Sequence, residues 1–90
     1  MAKVSVVGAG AWGTAIAKVL AENGHDTRVW CLEAELKASI NERHVNELFL
    51  PGVELPAGLA ATNDLIEAVE GMDLVVLAVP LLTAPSYPSI

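Results

Sequence analysis

The chain is poor in several things that whole classes of function require. It has one cysteine, Cys31, in 90 residues, which excludes an internal disulfide and a thiolate metal cluster. A single thiol at the end of an apolar segment reads as a small buried hydrophobe. Positive charge is equally sparse: five Lys and Arg stand against eleven Asp and Glu, for a net charge of -6. Without a cluster of bases to neutralise phosphates, a nucleic-acid or anionic-membrane surface is not expected. Aromatics make up only 4%. The longest nearly uncharged stretch, Leu74 to Ile90, contains Pro80, Pro85 and Pro88 and falls short of the ~20 residues a membrane-spanning helix needs. Met1 to Gly10 has one Lys and an apolar run that breaks at Gly8, too short for a signal-peptide core. The expectation is a cytoplasmic protein. A chain of this length makes one small domain that buries roughly 60 to 70% of its unfolded surface, room for a small ligand site and little more.

What is present is alternation. Lys3 to Val7 is rich in β-branched residues and stops at Gly8, which reads as a buried strand ended by a turn. Trp12, Ala15, Ile16, Val19 and Leu20 then recur with a helical period, closed by Asn23-Gly24. Thr27 to Cys31 is a second strand, and Glu33 to Arg43 a second helix with acids in its first turn and a base in its last. His44 to Gly58, with Pro51-Gly52 and Pro56, is a long connection that needs a role or extra packing to be ordered. Leu59 to Thr62 is a short third strand. Thr62 or Asn63 caps a helix running to about Glu70, with Leu65, Val69 and Met72 on its apolar side. Leu74 to Val79 is a continuous apolar run suited to a strand buried on both faces. Strands alternating with helices predict right-handed crossovers and a parallel α/β sheet, a partial Rossmann (doubly wound) fold comprising its first mononucleotide-binding half. Residues 1–80 form this incomplete dinucleotide-binding domain; 81–90 are an aperiodic tail.

Gly8-Ala9-Gly10-Ala11-Trp12-Gly13 is a G-x-G-x-x-G sequence directly after a predicted strand and opening a predicted helix. Gly8 permits a tight turn, Gly10 lets a pyrophosphate approach the backbone, and Gly13 lets the helix pack close to the strand. The helix N-terminus supplies N–H groups and positive dipole for the anion. Glu33 follows Gly13 at the spacing of a ribose-binding acid, a group that accepts bonds from hydroxyls and repels a 2′-phosphate, favouring NAD over NADP. Its alternative reading is an ordinary first-turn helix acid. No Arg lies in Trp30 through Glu35, although Arg28 and Lys37 flank that segment. His25 reads as a solvated turn residue, and His44 falls on the same far side of the sheet unless its loop folds back. Trp12 either packs the helix or borders the cofactor, and Trp30 is a core strand residue. Lys3, Lys18 and Lys37 are badly placed to serve as a base, so no catalytic residue is assigned, and no metal site.

Val6-Val7-Gly8-Ala9-Gly10-Ala11-Trp12-Gly13-Thr14-Ala15, Asn23-Gly24-His25, Val29-Trp30, His44-Val45-Asn46, Phe49-Leu50-Pro51-Gly52, Leu55-Pro56, Ala61-Thr62 and Ala78-Val79-Pro80 together resemble the N-terminal domain of bacterial NAD(P)-dependent glycerol-3-phosphate dehydrogenases. The resemblance implies reversible reduction of dihydroxyacetone phosphate to glycerol 3-phosphate, serving phospholipid synthesis in the cytoplasm. It places Gly8, Gly10 and Gly13 in the phosphate loop and puts Ala11 and Trp12 where the family has a cofactor-contacting Ser and aromatic. Leu32 and Glu33 fall where relatives using NADPH often carry a base, so NAD is expected and NADP is the alternative. The family continues into further strands, a catalytic lysine and a helical substrate domain, which Leu81 to Ile90 do not resemble. The expectation is a truncated or frameshifted product that binds cofactor at most, which the alternative reading frames after codon 80 test. Two other readings stand beside it: a non-catalytic nucleotide-binding module, forming a homo-oligomer through an exposed sheet edge, and a remnant without function. A ketopantoate reductase-like dehydrogenase is the other enzyme reading, disfavoured by the H-x-N-x-x-x-L-P-G stretch.

Overall fold

The computed structural model describes residues 2–78. Four parallel strands, β1 (Lys3–Val7), β2 (Asp26–Trp30), β3 (Ala60–Thr62) and β4 (Leu74–Leu77), lie in the spatial order β3-β2-β1-β4. The chain therefore steps outward from β1 to β3, then returns across the sheet to β4 on the other side of β1. Helix α1 (Ala11–Glu22) joins β1 to β2, α2 (Ala34–Ala38) follows β2, and α3 (Leu65–Val69) precedes β4. The predicted helix over Glu33 to Arg43 is α-helical only to Ala38 and continues as a π turn, Ser39–Arg43, ended by His44 in the left-handed region at φ 57°.

Register explains the core. Val76, Val6, Val29 and Ala61 are aligned across the four strands and, with alternation, project to one face. There they meet Ala17 of α1, Leu36 of α2 and Ile40 of the π turn, all wholly buried. Each large aliphatic side chain buried so completely contributes roughly 1.5 to 3 kcal/mol. On the opposite face, the Arg28 guanidinium donates to Glu67 O of α3 (2.6 Å), and Ala68 seals the contact. The long connection is ordered by packing: Leu55 and Leu59 are buried in the same cluster, and Asn46 is 0% exposed.

Several expectations need correction. Of the predicted α1 stripe, Trp12, Ala15 and Val19 are exposed, and the buried positions are Gly13, Thr14 and Ala17. The helix approaches the sheet through its smallest side chains, which turns the stripe and leaves Ile16 and Leu20 at its flanks. In α3 the cap is Asp64, whose carboxylate accepts from Ile66 N–H (2.9 Å) and Glu67 N–H (3.2 Å). Asn63 instead donates across to Cys31 O, and Thr62 Oγ1 accepts from Asp64 N–H. Leu65 and Val69 are exposed, because so short a helix makes its contact through Ala68. Strand β4 is the outer strand among the described residues, and Leu74, Val75 and Leu77 are exposed rather than buried on both faces. Trp30 is half-buried, its ring N–H donating to Asn63 O (3.0 Å). Val79, the last residue of the predicted strand, and the 81–90 tail lie outside the described residues.

Candidate dinucleotide-binding site

All four strands run the same way, so the turn after β1 and the turn after β2 meet at one edge of the sheet. Gly8 N–H donates to Trp30 O (3.0 Å), tying the two turns together. Gly8 has φ 119°, a conformation that L side chains rarely adopt. At Gly13 the constraint is contact: a Cβ there would lie 1.9 Å from Gly8 O and 3.2 Å from Ala78 Cβ. Gly10 is different. It caps α1 with φ -70° and ψ -172°, which any residue can adopt, and a Cβ on it would meet nothing within 4 Å among the described residues. Among those residues the space above Gly10 is open.

That open side faces unsatisfied donors. The first bond of α1 runs from Thr14 N–H to Gly10 O (2.9 Å), and no side chain caps the helix. The N–H groups of Gly10, Ala11, Trp12 and Gly13 have no acceptor among the described residues. Four free donors at the positive end of a 12-residue helix make an anion site, and a missing Cβ at Gly10 gives a pyrophosphate room to reach them. The residues present fit a dinucleotide phosphate bridge.

Glu33 stands at the same edge, as N-cap of α2, and its carboxylate makes no capping bond. Glu33 is therefore the N-cap rather than a first-turn residue, and its side chain is half-buried. Leu32 beside it is 76% exposed. Arg28 lies inside the sheet, paired with Ser5 and Ala60, and its guanidinium is engaged by α3, so it does not reach this edge. Lys37 is one turn beyond Glu33, its N–H donating to Glu33 O (3.2 Å). Cys31, between the two turns, has a thiol raised to about 11 by burial and by the nearby Glu33 carboxylate. It stays protonated and unreactive at neutral pH.

Trp12, at 81% exposure, packs against nothing in α1 and stands beside the free donors. Lys3 and His25 sit at the opposite edge, where His25 Nδ1 accepts from Ala2 N–H (3.1 Å). Lys18 pairs with Glu22 on the outer face of α1 (2.7 Å). The loop after His44 does fold back, and it brings in Asn46, to which sequence reasoning gave no role at the site. Asn46 Nδ2 donates to Ala9 O (2.8 Å) and to Thr14 Oγ1 (2.7 Å). The signal was the Asn inside a Pro-Gly-rich loop that had to pack on something. Among the described residues no helix is long and apolar enough to cross a membrane, and no three potential metal ligands cluster.

A parallel sheet in this order, with a glycine turn into α1 and an acid after β2, defines the dinucleotide-binding half of a doubly wound α/β domain. Comparison with known proteins narrows the class. The family model described as "NAD-dependent glycerol-3-phosphate dehydrogenase N-terminus" matches residues 3–87, and the chain belongs to that family. It is 54% identical over 78 residues to a glycerol-3-phosphate dehydrogenase (NAD(P)+) of Trichlorobacter lovleyi, covering 87% of this chain and 23% of the relative. With the Bacillus thuringiensis enzyme of the same name it shares 50% over 80 residues, 89% of this chain and 24% of the relative. The chain thus spans about a quarter of the length of the curated relatives it matches. The solved glycerol-3-phosphate dehydrogenase of Saccharomyces cerevisiae superposes with TM-score 0.82 at 39% identity, over 93% of this chain and 28% of that one. That of Coxiella burnetii gives 0.80 at 35%, over 88% and 24%.

Proposed function

We propose that the chain binds the adenosine and pyrophosphate portion of NAD, as the cofactor-binding N-terminal part of a glycerol-3-phosphate dehydrogenase. The observation that carries this reading is the row of free N–H groups from Gly10 to Gly13, facing the open space above Gly10. Gly8 sets the turn, Gly13 brings the helix close, Ala11 and Trp12 contribute backbone donors, and the exposed indole of Trp12 borders the ligand. Glu33 accepts from the adenosine ribose hydroxyls. When bound, the nicotinamide supplies or accepts hydride; this chain's residues hold and orient the other end. The reaction of the longer relatives, reversible reduction of dihydroxyacetone phosphate to glycerol 3-phosphate in the cytoplasm, is the activity in which we place it. Residues 1–80 are the binding unit in this reading.

Titration of the purified chain followed by tryptophan emission tests it. NADH is expected to quench saturably and more tightly than NADPH, because Glu33 repels the 2′-phosphate. Glu33→Gln is expected to weaken NADH by about tenfold, one charged hydrogen bond's worth, and to narrow the gap to NADPH. Equal affinities in the unsubstituted chain would remove Glu33 from the site.

The exposed β4 supports a second element of the proposal. As the outer strand among the described residues, with exposed Leu74, Val75 and Leu77, β4 is a template for pairing, and we assign it to a second copy of the chain. Sedimentation is expected to show a dimer at micromolar concentration; a monodisperse monomer at high concentration contradicts the pairing.

A further inference from the structure

The glycine loop is held from beneath by a side chain 37 residues further along the sequence. Asn46 is 0% exposed, and both ends of its amide are used. Its Nδ2 donates to Ala9 O (2.8 Å) and Thr14 Oγ1 (2.7 Å), while its Oδ1 accepts from Phe49 N–H (2.9 Å). Thr14, also 0% exposed, donates its own hydroxyl to Ala9 O (3.2 Å). Ala9 O is therefore bonded twice, both times to groups inside the protein. A trans peptide is planar, with C=O and the following N–H pointing in opposite directions. Fixing Ala9 O inward, onto Asn46 and Thr14, turns the Gly10 N–H the opposite way, away from those buried groups.

We propose that Asn46 is a positioning residue for the phosphate loop: it locks the Ala9–Gly10 peptide in the orientation that presents the Gly10 N–H to a pyrophosphate. This rests on the cofactor reading above and adds to it the reason the loop after α2 folds back. A preset donor binds an anion more tightly than one that must first be turned around, because no reorganisation accompanies binding. Buried hydrogen bonds of this kind give modest net stability, so the distinctive effect of the cluster is direction.

Asn46→Leu and Thr14→Val, each made in the full chain, separate this role from simple tethering of the loop. Calorimetric titration with ADP and with adenosine, at a temperature where each variant's melting curve shows it folded, gives the readout. Asn46→Leu is expected to weaken ADP on the order of tenfold, the worth of one hydrogen bond to a charged group, and to leave adenosine unchanged. Thr14→Val removes one of the two bonds to Ala9 O and is expected to give the same split at smaller size, which decides the matter if Asn46→Leu does not fold. ADP affinity that survives both substitutions overturns the proposal, as does a parallel loss of ADP and adenosine. Failure of the unsubstituted chain to bind ADP overturns the cofactor reading itself and this inference with it.

Discussion

Gly13→Ala is expected to destabilise the chain by about 3 kcal/mol or more, at the upper end of what overpacking costs. The added Cβ would lie 1.9 Å from Gly8 O, and neither partner can yield cheaply. Gly8 O belongs to a turn held by φ 119° and by the Gly8 N–H bond to Trp30 O. Gly13 belongs to a helix whose neighbouring contacts, Thr14 and Ala17, are already buried and small. Relief requires lifting α1 from the sheet, which opens the cluster of Val6, Val29 and Ala17. A domain of this size commands only about 5 to 10 kcal/mol in total, so the melting transition is expected to fall steeply. Urea or thermal unfolding measures it, and a loss below about 1 kcal/mol would mean that helix and strand are not in contact as described.

Gly10→Val is expected to do the reverse: to keep the fold and lose the ligand. Its backbone is extended and its Cβ would meet nothing among the described residues, so unfolding is expected to change by no more than about 1 kcal/mol, the scale of a cap substitution. The branched side chain would instead occupy the space through which a pyrophosphate reaches the four free N–H groups. Affinity for NADH is expected to fall by about 100-fold, equivalent to roughly 2.7 kcal/mol. The contrast between two glycines three residues apart separates packing from the recognition proposed above: Gly13 is required by the contact with Gly8 O, and Gly10 is assigned to the ligand by that proposal. Tight NADH binding by a folded Gly10→Val chain would move the phosphates elsewhere.

The pattern of strands and helices was legible because a doubly wound sheet writes it locally. Continuous apolar runs make strands, and in a parallel sheet every strand-to-helix turn falls at the same edge, the one to which we assign the ligand. What was not legible depended on neighbours. The apolar period of α1 selects Trp12, Ala15, Ile16, Val19 and Leu20, yet the close approach demanded by Gly13 turns Thr14 and Ala17 inward and leaves Trp12 outside. Strand β4 has the composition of an interior strand, but exposure is set by what pairs beside it, and among the described residues only β1 does. The site divides in the same way. Glycine spacing and the acid after β2 are visible in sequence, and the dinucleotide role given to them is the proposal above. Asn46 does not, because its meaning lies in a contact made across the fold with Ala9 and Thr14.

Amide mapping by heteronuclear NMR, as NADH is added to the uniformly labelled chain, locates the ligand on the sheet. Saturable shifts are expected at Gly10, Ala11, Trp12 and Gly13, with a second group at Leu32 and Glu33. Residues at the other edge of the sheet, His25 and Asp26 among them, are predicted to stay where they are. Shifts confined to that other edge, or a well-dispersed spectrum that NADH leaves unchanged, would contradict the proposed binding site.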